Sequence, residues 1–229
     1  MNIVVVGASG DVGSRTVAAA LAAGHQVVAY VRNPESVAPR RRLTVAKGDA
    51  TDESTLVSAT AGSDAVIVAI TGHMKDSTFM QRVMPKLIDS VVKSGAGRVI
   101  LVSALGAGDS ATKTSGFGRL IYRTALGKFF TDKGLADRML IRSGLDHTIV
   151  YPVNLYDGPA IADAVVRRLD EIDTVPGLPT LPFENLANAL VDIAENPEYS
   201  GQRVVVTTPT GWRPAKSRTP SDLRGQRQR

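Results

Sequence analysis

Three glycines near the N-terminus have the spacing of a turn that binds a phosphate group. Gly7, Gly10 and Gly13 follow an apolar, β-branched run at residues 3–6, typical of a buried parallel strand, and precede an Ala- and Leu-rich, helix-like stretch at residues 16–23. A helix that begins at such a turn presents free backbone N–H groups and the positive end of its dipole, and both attract an anion. This order of elements predicts a dinucleotide site rather than a purely structural turn. The residues predicted to line it are Gly7, Ser9, Gly10, Asp11, Val12 and Gly13.

A basic residue stands at the end of the second predicted strand, where NAD sites usually present a carboxylate. That carboxylate hydrogen-bonds the ribose 2′-OH of NAD. Here Arg32 follows Val31, and the chain has no acid until Glu35. Because a guanidinium can make charge-assisted bonds to a 2′-phosphate, the sequence favours NADP(H) over NAD(H). The three arginines at residues 40–42 could add positive potential or form a solvated helix end.

Strands and helices alternate along the chain, which predicts an α/β fold of the Rossmann type with a doubly wound parallel sheet. The predicted strands are 3–6, 26–31, 43–47, 65–70, 98–102, 147–151 and 203–207. The predicted helices are 11–23, 54–59, 79–94, 120–142 and 184–195. The prediction is one domain at residues 1–208, with a small C-terminal cap on the substrate side at about 154–182. Ligands of such sheets bind beyond the C-terminal ends of the strands.

Composition restricts the classes of protein that fit this chain. Its 229 residues suit one α/β domain, and the mean hydropathy of +0.01 is ordinary for an enzyme with a sizeable core. It has no cysteine, no apolar run of about 20 residues and no signal-like N-terminus, so we expect a cytoplasmic protein without a membrane segment. Its three histidines are scattered, so no metal site is predicted, although His73 follows a strand end and could line a pocket.

The net charge of +5 is concentrated in residues 209–229, where six basic residues accompany one acid. This segment is also rich in Pro, Ser, Thr, Gly and Gln, which predicts a disordered tail. A basic tail can touch polyanions, but a solubilising extension explains it equally. We therefore expect a small-molecule substrate and no specific nucleic-acid partner, and the sequence leaves the oligomeric state open.

A set of short motifs resembles a known family. The motifs are G-x-x-G-x-x-G at 7–13, VRNP at 31–34, KGDA at 47–50, DAVIV at 64–68, VSA at 102–104, SGLD at 143–146 and TIV at 148–150. Together they make the chain resemble the atypical short-chain dehydrogenases/reductases, and in particular the NAD(P)H-binding, NmrA-like proteins of the biliverdin reductase B or flavin reductase type. The resemblance extends from residue 1 to about 151, and weakly to 207. None of these motifs is specific for a substrate.

The resemblance implies further site residues. Asp49, followed by Ala50, matches the family residue beside the adenine, and Ser103 matches the serine that faces the nicotinamide. Lys133 and Asp137 lie where NmrA-like proteins often carry a lysine and an acid, and their spacing puts both on one helical face. The alternative for this pair is an exposed ion pair worth less than about 1 kcal/mol. The residues implied along the rest of the cofactor are Ala69, Ile70, Thr71, Pro152, Val153 and Asn154.

Two departures from the family pattern bear on catalysis. Standard short-chain enzymes use a Tyr-x-x-x-Lys pair in which the lysine lowers the pKa of the tyrosine. Here Tyr122 is followed four residues later by Leu126, so that pair is missing. Tyr151 stands before Pro152 where relatives commonly have arginine, so the contacts of that arginine are not inherited.

The resulting hypothesis is an NADPH-dependent reductase of a small planar or aromatic carbonyl, quinone or flavin-like substrate. Ser103, Lys133 and Asp137 are its candidate catalytic residues. Two alternatives stay open on the same fold. The first is a redox-neutral epimerase, cyclase or isomerase, and the second is an NADP(H)-binding redox sensor without turnover. The fold alone does not choose among them.

Overall fold

The chain alternates strands with helices, as its periodicity predicts. The structure is a computed structural model that describes residues 1–73, 76–116, 126–162 and 164–215. Within these ranges the strands are β1 (Asn2–Val6), β2 (Gln26–Val31), β3 (Leu43–Lys47), β4 (Ala65–Val68), β5 (Arg98–Val102), β6 (His147–Pro152), β7 (Asn154–Tyr156), β8 (Val165–Arg168), β9 (Ile172–Thr174), β10 (Thr180–Pro182), β11 (Gln202–Thr207) and β12 (Arg213–Pro214). The helices are α1 (Asp11–Ala22), α2 (Glu53–Thr60), α3 (Phe79–Ser94), α4 (Gly127–Arg142) and α5 (Phe183–Glu195).

Eight of these strands form one sheet in the order β3-β2-β1-β4-β5-β6-β11-β8. All neighbours are parallel except β8, which is antiparallel to β11 at the edge. The order reverses between β1 and β4, where Val4 pairs with Val66. In a doubly wound sheet the ligand crevice opens at the carboxyl ends of the strands on either side of this reversal. The predicted Rossmann-type sheet is confirmed.

The core lies in the central strands, because their side chains are buried on both faces. Ile3 to Val6, all of β4 and Val99 to Leu101 have almost no exposed surface. Such strands need continuous β-branched and aliphatic runs rather than alternating polar residues. The helices pack in two groups: α1 contacts α5, while α3 lies between α2 and α4. Among the described residues, no helix combines the length and apolar character that crossing a membrane requires.

One predicted strand is shorter in the structure. Strand β4 ends at Val68 rather than at residue 70; the N–H of Ala69 still donates to the carbonyl oxygen of Val6 at 2.9 Å, and Ala69 and Ile70 lie against Gly7. The helix predicted to begin at residue 120 is described only from Gly127, and residues 117–125 lie outside the described part. In the segment 154–182, predicted to form a small cap, β8 joins the main sheet, whereas β7 and β10 pair in a separate two-stranded sheet.

The folded part continues past the predicted boundary at residue 208. Strand β12 pairs with β9, and Trp212 packs against the core beneath the guanidinium of Arg167, whose carbon lies 5.1 Å from the ring centroid. An aromatic ring and a two-residue strand therefore anchor 209–215, a segment whose overall composition resembles a tail. Residues 216–229 lie outside the described residues.

Candidate functional site

The glycine turn brings the N-terminus of α1 against the end of β4. Gly7 has a φ of +86°, and a Cβ at this position would lie 2.6 Å from Cγ2 of Ile70 and 2.7 Å from the carbonyl oxygen of Ala69. A Cβ on Gly13 would lie 2.1 Å from the carbonyl oxygen of Gly7. These two glycines are therefore required by the protein's own packing.

Gly10 is different, because its space is left open by the protein. A Cβ there would meet only the carbonyl oxygen of Gly7, at 3.5 Å. Gly10 is also the N-cap of α1, and within the described chain no side chain bonds to the free N–H groups of the first turn. An uncapped helix end beside an open glycine fits the pyrophosphate of a dinucleotide.

A cavity of about 440 Å³ extends from this turn along the ends of β1, β2 and β4. Nine of the predicted cofactor-binding residues line it: Gly7, Ser9, Gly10, Arg32, Asp49, Ala50, Ala69, Ile70 and Thr71. His73 lines it as well. Oδ1 of Asp49 accepts hydrogen bonds from the backbone N–H (2.9 Å) and hydroxyl (2.6 Å) of Thr51, and these bonds hold the pKa of Asp49 below its usual value. Asp49 thus remains a carboxylate at the cavity wall.

Arg32 is the predicted cofactor-binding arginine, and it lines this cavity. It is exposed at the cavity wall, and its positive charge helps lower the pKa of Asp49. In the described chain the arginines at 40–42 do not line the cavity. Arg42 has a φ of +64° and donates to the carbonyl oxygen of Gly24 at 3.1 Å, so its role is local.

A second cavity, of about 460 Å³, adjoins the first and shares Gly10, Ala69 and Thr71 with it. The predicted residues that line it also include Asp11, Val12, Ser103, Lys133, Pro152, Val153 and Asn154. Its apolar walls come from Phe129, Phe130 and Phe183. The two cavities together form a continuous surface. This surface suits a dinucleotide, whose two ring systems are far apart, with a second small molecule beside it.

A buried hydrogen-bond network lies behind the second cavity. Oδ2 of Asp137 accepts from the hydroxyl of Ser103 and from the hydroxyl of Tyr151, each at 3.1 Å. Asp137 is 2% exposed and Tyr151 is 1% exposed. Oδ1 of Asp137 is buried without a hydrogen-bond partner among the described residues. Unsatisfied buried acceptors are uncommon and often mark functional sites.

Lys133 reaches the cavity one helical turn before Asp137. Its ammonium group contacts the carbonyl oxygen of Val102 at 3.4 Å and lies 5.5 Å from the ring centroid of Phe129. Burial lowers the pKa of Lys133 to about 8, against the opposing effect of nearby carboxylates, and burial raises the pKa of Asp137 to about 6. The exposed ion pair considered for these two residues is therefore wrong, because both side chains are buried.

Helix α4 is held in place by two contacts near these residues. A Cβ on Gly134 would lie 2.6 Å from the backbone nitrogen of Gly108, so the glycine allows α4 to approach the 3₁₀ helix at Gly108–Lys113. Asp132 accepts from the backbone N–H groups of Met80 (2.8 Å) and Gln81 (3.2 Å), which caps the start of α3. These contacts fix the rotation of α4 and therefore the direction of Lys133.

Comparison with known proteins identifies the family. A sequence model described as NAD(P)H-binding matches residues 7–197. The chain belongs to this NAD(P)H-binding family. A search of curated protein sequences gave no match.

Solved structures with the same fold cover almost the whole NAD(P)H-binding protein. The anaerobilin reductase ChuY from Escherichia coli O157:H7 has 27% identity and a TM-score of 0.76, over 92% of this chain and 98% of that one. A short-chain dehydrogenase/reductase from Veillonella parvula, solved in complex with NADP, has 20% identity and a TM-score of 0.77, over 92% and 95%. The oxidoreductase ylbE from Lactococcus lactis has 20% identity and a TM-score of 0.76, over 100% and 98%. The predicted NAD(P)H-binding family is confirmed by the sequence model, and the two structures at 20% identity show that the fold is shared.

Sequence reasoning missed some of the site of this NAD(P)H-binding protein. The sequence pointed to Tyr151 only because it replaces an arginine that is common in relatives, yet its hydroxyl contacts the carboxylate of Asp137. Phe129 precedes Lys133 by four residues, a spacing that already places both on one face of α4. Phe183 comes from a distant helix, and no local signal pointed to it. Gly13 and Asp137 were predicted to be in the site, but they support it from behind and line neither cavity. The described residues contain no cluster of three or more His, Cys, Asp or Glu suited to a metal ion.

Proposed function

We propose that this NAD(P)H-binding protein is an NADPH-dependent reductase of a small planar carbonyl, quinone or flavin-like compound. The observation that carries the proposal is the second cavity, which places the Ser103 hydroxyl and the Lys133 side chain among aromatic walls directly beside the dinucleotide cavity. The similarity to a protein described as an anaerobilin reductase supports reduction as the type of reaction.

The residues of the second cavity have separate tasks in this reaction. The reduced nicotinamide supplies the hydride when the cofactor is bound. The hydroxyl of Ser103 hydrogen-bonds the oxygen of the acceptor and orients it. The side chain of Lys133 polarises the same oxygen, and its charge acts strongly because the surrounding phenylalanines keep water away.

The shape of the cavity favours a flat, conjugated acceptor. Its volume of about 460 Å³ lies within the range of small-molecule sites. Phe129, Phe130 and Phe183 present rings that pack well against another planar ring. A conjugated acceptor also spreads the negative charge that develops on its oxygen, which reduces the need for the missing tyrosine acid.

The preference for NADPH rests on Arg32, and the variant Arg32→Ala tests it. Loss of a charge-assisted bond to the 2′-phosphate should weaken NADPH binding by roughly tenfold to a hundredfold, while NADH affinity stays the same. Fluorescence titration with both cofactors measures this. Arg41→Ala is the matched control, since Arg41 is exposed and lies away from the cavity wall. Equal losses for NADPH and NADH would assign Arg32 a structural role.

The reaction itself is tested by a panel of acceptors. Purified protein with NADPH should reduce at least one of menadione, FMN and cinnamaldehyde faster than the uncatalysed background, followed by loss of NADPH absorbance. Absence of NADPH consumption with all acceptors would overturn the proposal. Conversion of an acceptor without net NADPH oxidation would indicate the redox-neutral alternative, and redox-dependent capture of a protein partner would indicate the sensor.

A further inference from the structure

Among the described residues, Ser103 is the one hydrogen-bond partner of Asp137 that lines the second cavity. The carboxyl group itself lines neither cavity. Of the two hydroxyls that donate to Oδ2, that of Tyr151 belongs to a side chain outside the cavity wall, whereas Ser103 lines the cavity. Within the described chain, the hydroxyl of Ser103 is therefore the hydrogen-bonded path for a proton from Asp137 toward a substrate.

The geometry also distinguishes the two carboxyl oxygens. Oδ2 lies 3.1 Å from the oxygen of Ser103, a distance at which either atom can be the donor when the acid is protonated. Oδ1 is buried and has no hydrogen-bond partner among the described residues. Because Oδ1 lacks a donor, a negative charge on this carboxyl is stabilised at one oxygen only, which increases its affinity for a proton.

We propose that Asp137 is the proton reservoir of the reduction and that Tyr151 is the residue that positions it. This inference rests on the proposed function. Before the step, the Oδ2–H of Asp137 donates to the oxygen of Ser103, and the Ser103 hydroxyl donates to the oxygen of the acceptor. As that oxygen gains negative charge from the incoming hydride, the Ser103 O–H bond breaks and a new O–H bond forms on the acceptor. The Oδ2–H bond then breaks and its proton restores the serine hydroxyl, which leaves Asp137 as a carboxylate.

The two hydroxyls beside Oδ2 also suit the carboxylate that remains after this transfer. The carboxylate then accepts both hydroxyls at Oδ2, and the nearby Lys133 ammonium stabilises its charge. Reprotonation of the carboxylate resets the site. The titratable and charged groups around this carboxyl are Lys133 and Arg138 of α4, Tyr151 of β6 and, next to Tyr151, the ion pair of Asp109 and Arg203 at 2.5 Å.

The effect of Tyr151 on Asp137 has a definite sign. Its hydroxyl donates to Oδ2, so it stabilises the carboxylate and lowers the pKa of Asp137, while burial raises that pKa to about 6. Removing the hydroxyl in Tyr151→Phe must therefore raise the pKa further. A residue that only filled space would leave the pKa unchanged.

The first experiment measures the proton on Asp137 without turnover. Difference infrared titration of the wild type against Asp137→Asn isolates the C=O stretch of the protonated acid. We expect a midpoint near pH 6, an increase of about one pH unit in Tyr151→Phe, and no change in the control Tyr199→Phe. A midpoint at the ordinary aspartate value, or the same midpoint in Tyr151→Phe, would overturn the proposal.

The second experiment follows NADPH oxidation with menadione as a function of pH. Because the protonated acid is the active form, kcat should fall as the pH rises through the midpoint. Asp137→Asn should lower kcat by about a hundredfold with little change in KM, and it should lose this fall of kcat with rising pH, the alkaline limb of the profile. Tyr151→Phe should move the limb to higher pH, together with the infrared midpoint. The control Asp192→Asn removes a carboxylate of α5 that lines neither cavity and should keep the limb. A wild-type limb in Asp137→Asn would contradict the reservoir role.

The two experiments separate failure of this proposal from failure of the proposed function. If the wild type consumes no NADPH with any acceptor, the reductase assignment fails. The infrared titration needs no turnover, so the midpoint of Asp137 and its shift in Tyr151→Phe still test whether the carboxyl holds a proton under the control of Tyr151.

Discussion

Replacing Gly10 by glutamate should abolish NADPH binding while the protein stays folded. The open space at Gly10 means that a Cβ meets only one backbone oxygen, at 3.5 Å, so the backbone need not move. The added side chain and its negative charge would occupy the uncapped start of α1, where the pyrophosphate belongs. We expect a loss of affinity of more than about a hundredfold, measured by fluorescence titration, because both shape and charge oppose the ligand.

The neighbouring glycines supply the controls for this experiment. Gly10→Ala should keep the fold and lose less affinity, since its methyl group carries no charge. Gly13→Ala should instead lower the free energy of unfolding, because its Cβ would lie 2.1 Å from the carbonyl oxygen of Gly7. Thermal unfolding of all three variants separates the two effects. If folded Gly10→Glu binds NADPH like the wild type, the cofactor does not bind at this turn.

Replacing Lys133 by methionine should reduce kcat by about a hundredfold or more and leave NADPH affinity close to that of the wild type. In the proposed reaction the ammonium group acts on the acceptor oxygen in a cavity with aromatic walls, so its loss should fall mainly on the transition state. Folding should not suffer, because methionine has a similar volume and removes the cost of burying a charge. Ser103→Ala should also lower kcat by about a hundredfold.

Steady-state kinetics with menadione, together with NADPH titration, measure these effects. Lys86→Met is the matched control, because Lys86 lies on α3 in a half-exposed ion pair with Glu53 at 3.6 Å and lines neither cavity. An unchanged kcat in Lys133→Met would remove Lys133 from the mechanism. A loss confined to NADPH affinity would make it a cofactor-binding residue instead.

The sequence alone was sufficient for the parallel sheet, the glycine turn and the candidate cofactor residues, because these depend on local patterns. A β-branched run followed by spaced glycines and a helix former determines its own geometry within about twenty residues. The same holds for Arg32, since the end of a parallel strand places its side chain at the ligand edge of the sheet. The tail boundary was misplaced, because a single tryptophan anchors a segment whose average composition is polar.

Only the tertiary structure decided the state of the residues behind the second cavity. Ser103, Asp137 and Tyr151 come from β5, α4 and β6, and no local rule says that their oxygens meet within 3.1 Å. The spacing of Lys133 and Asp137 is compatible with a solvated ion pair and with a buried acid and base. Burial distinguishes the two, because taking a charged group out of water moves its pKa toward the neutral form. Burial is set by how α4 packs against Gly108 and α3, so the chemistry of this pair is a property of the assembled fold.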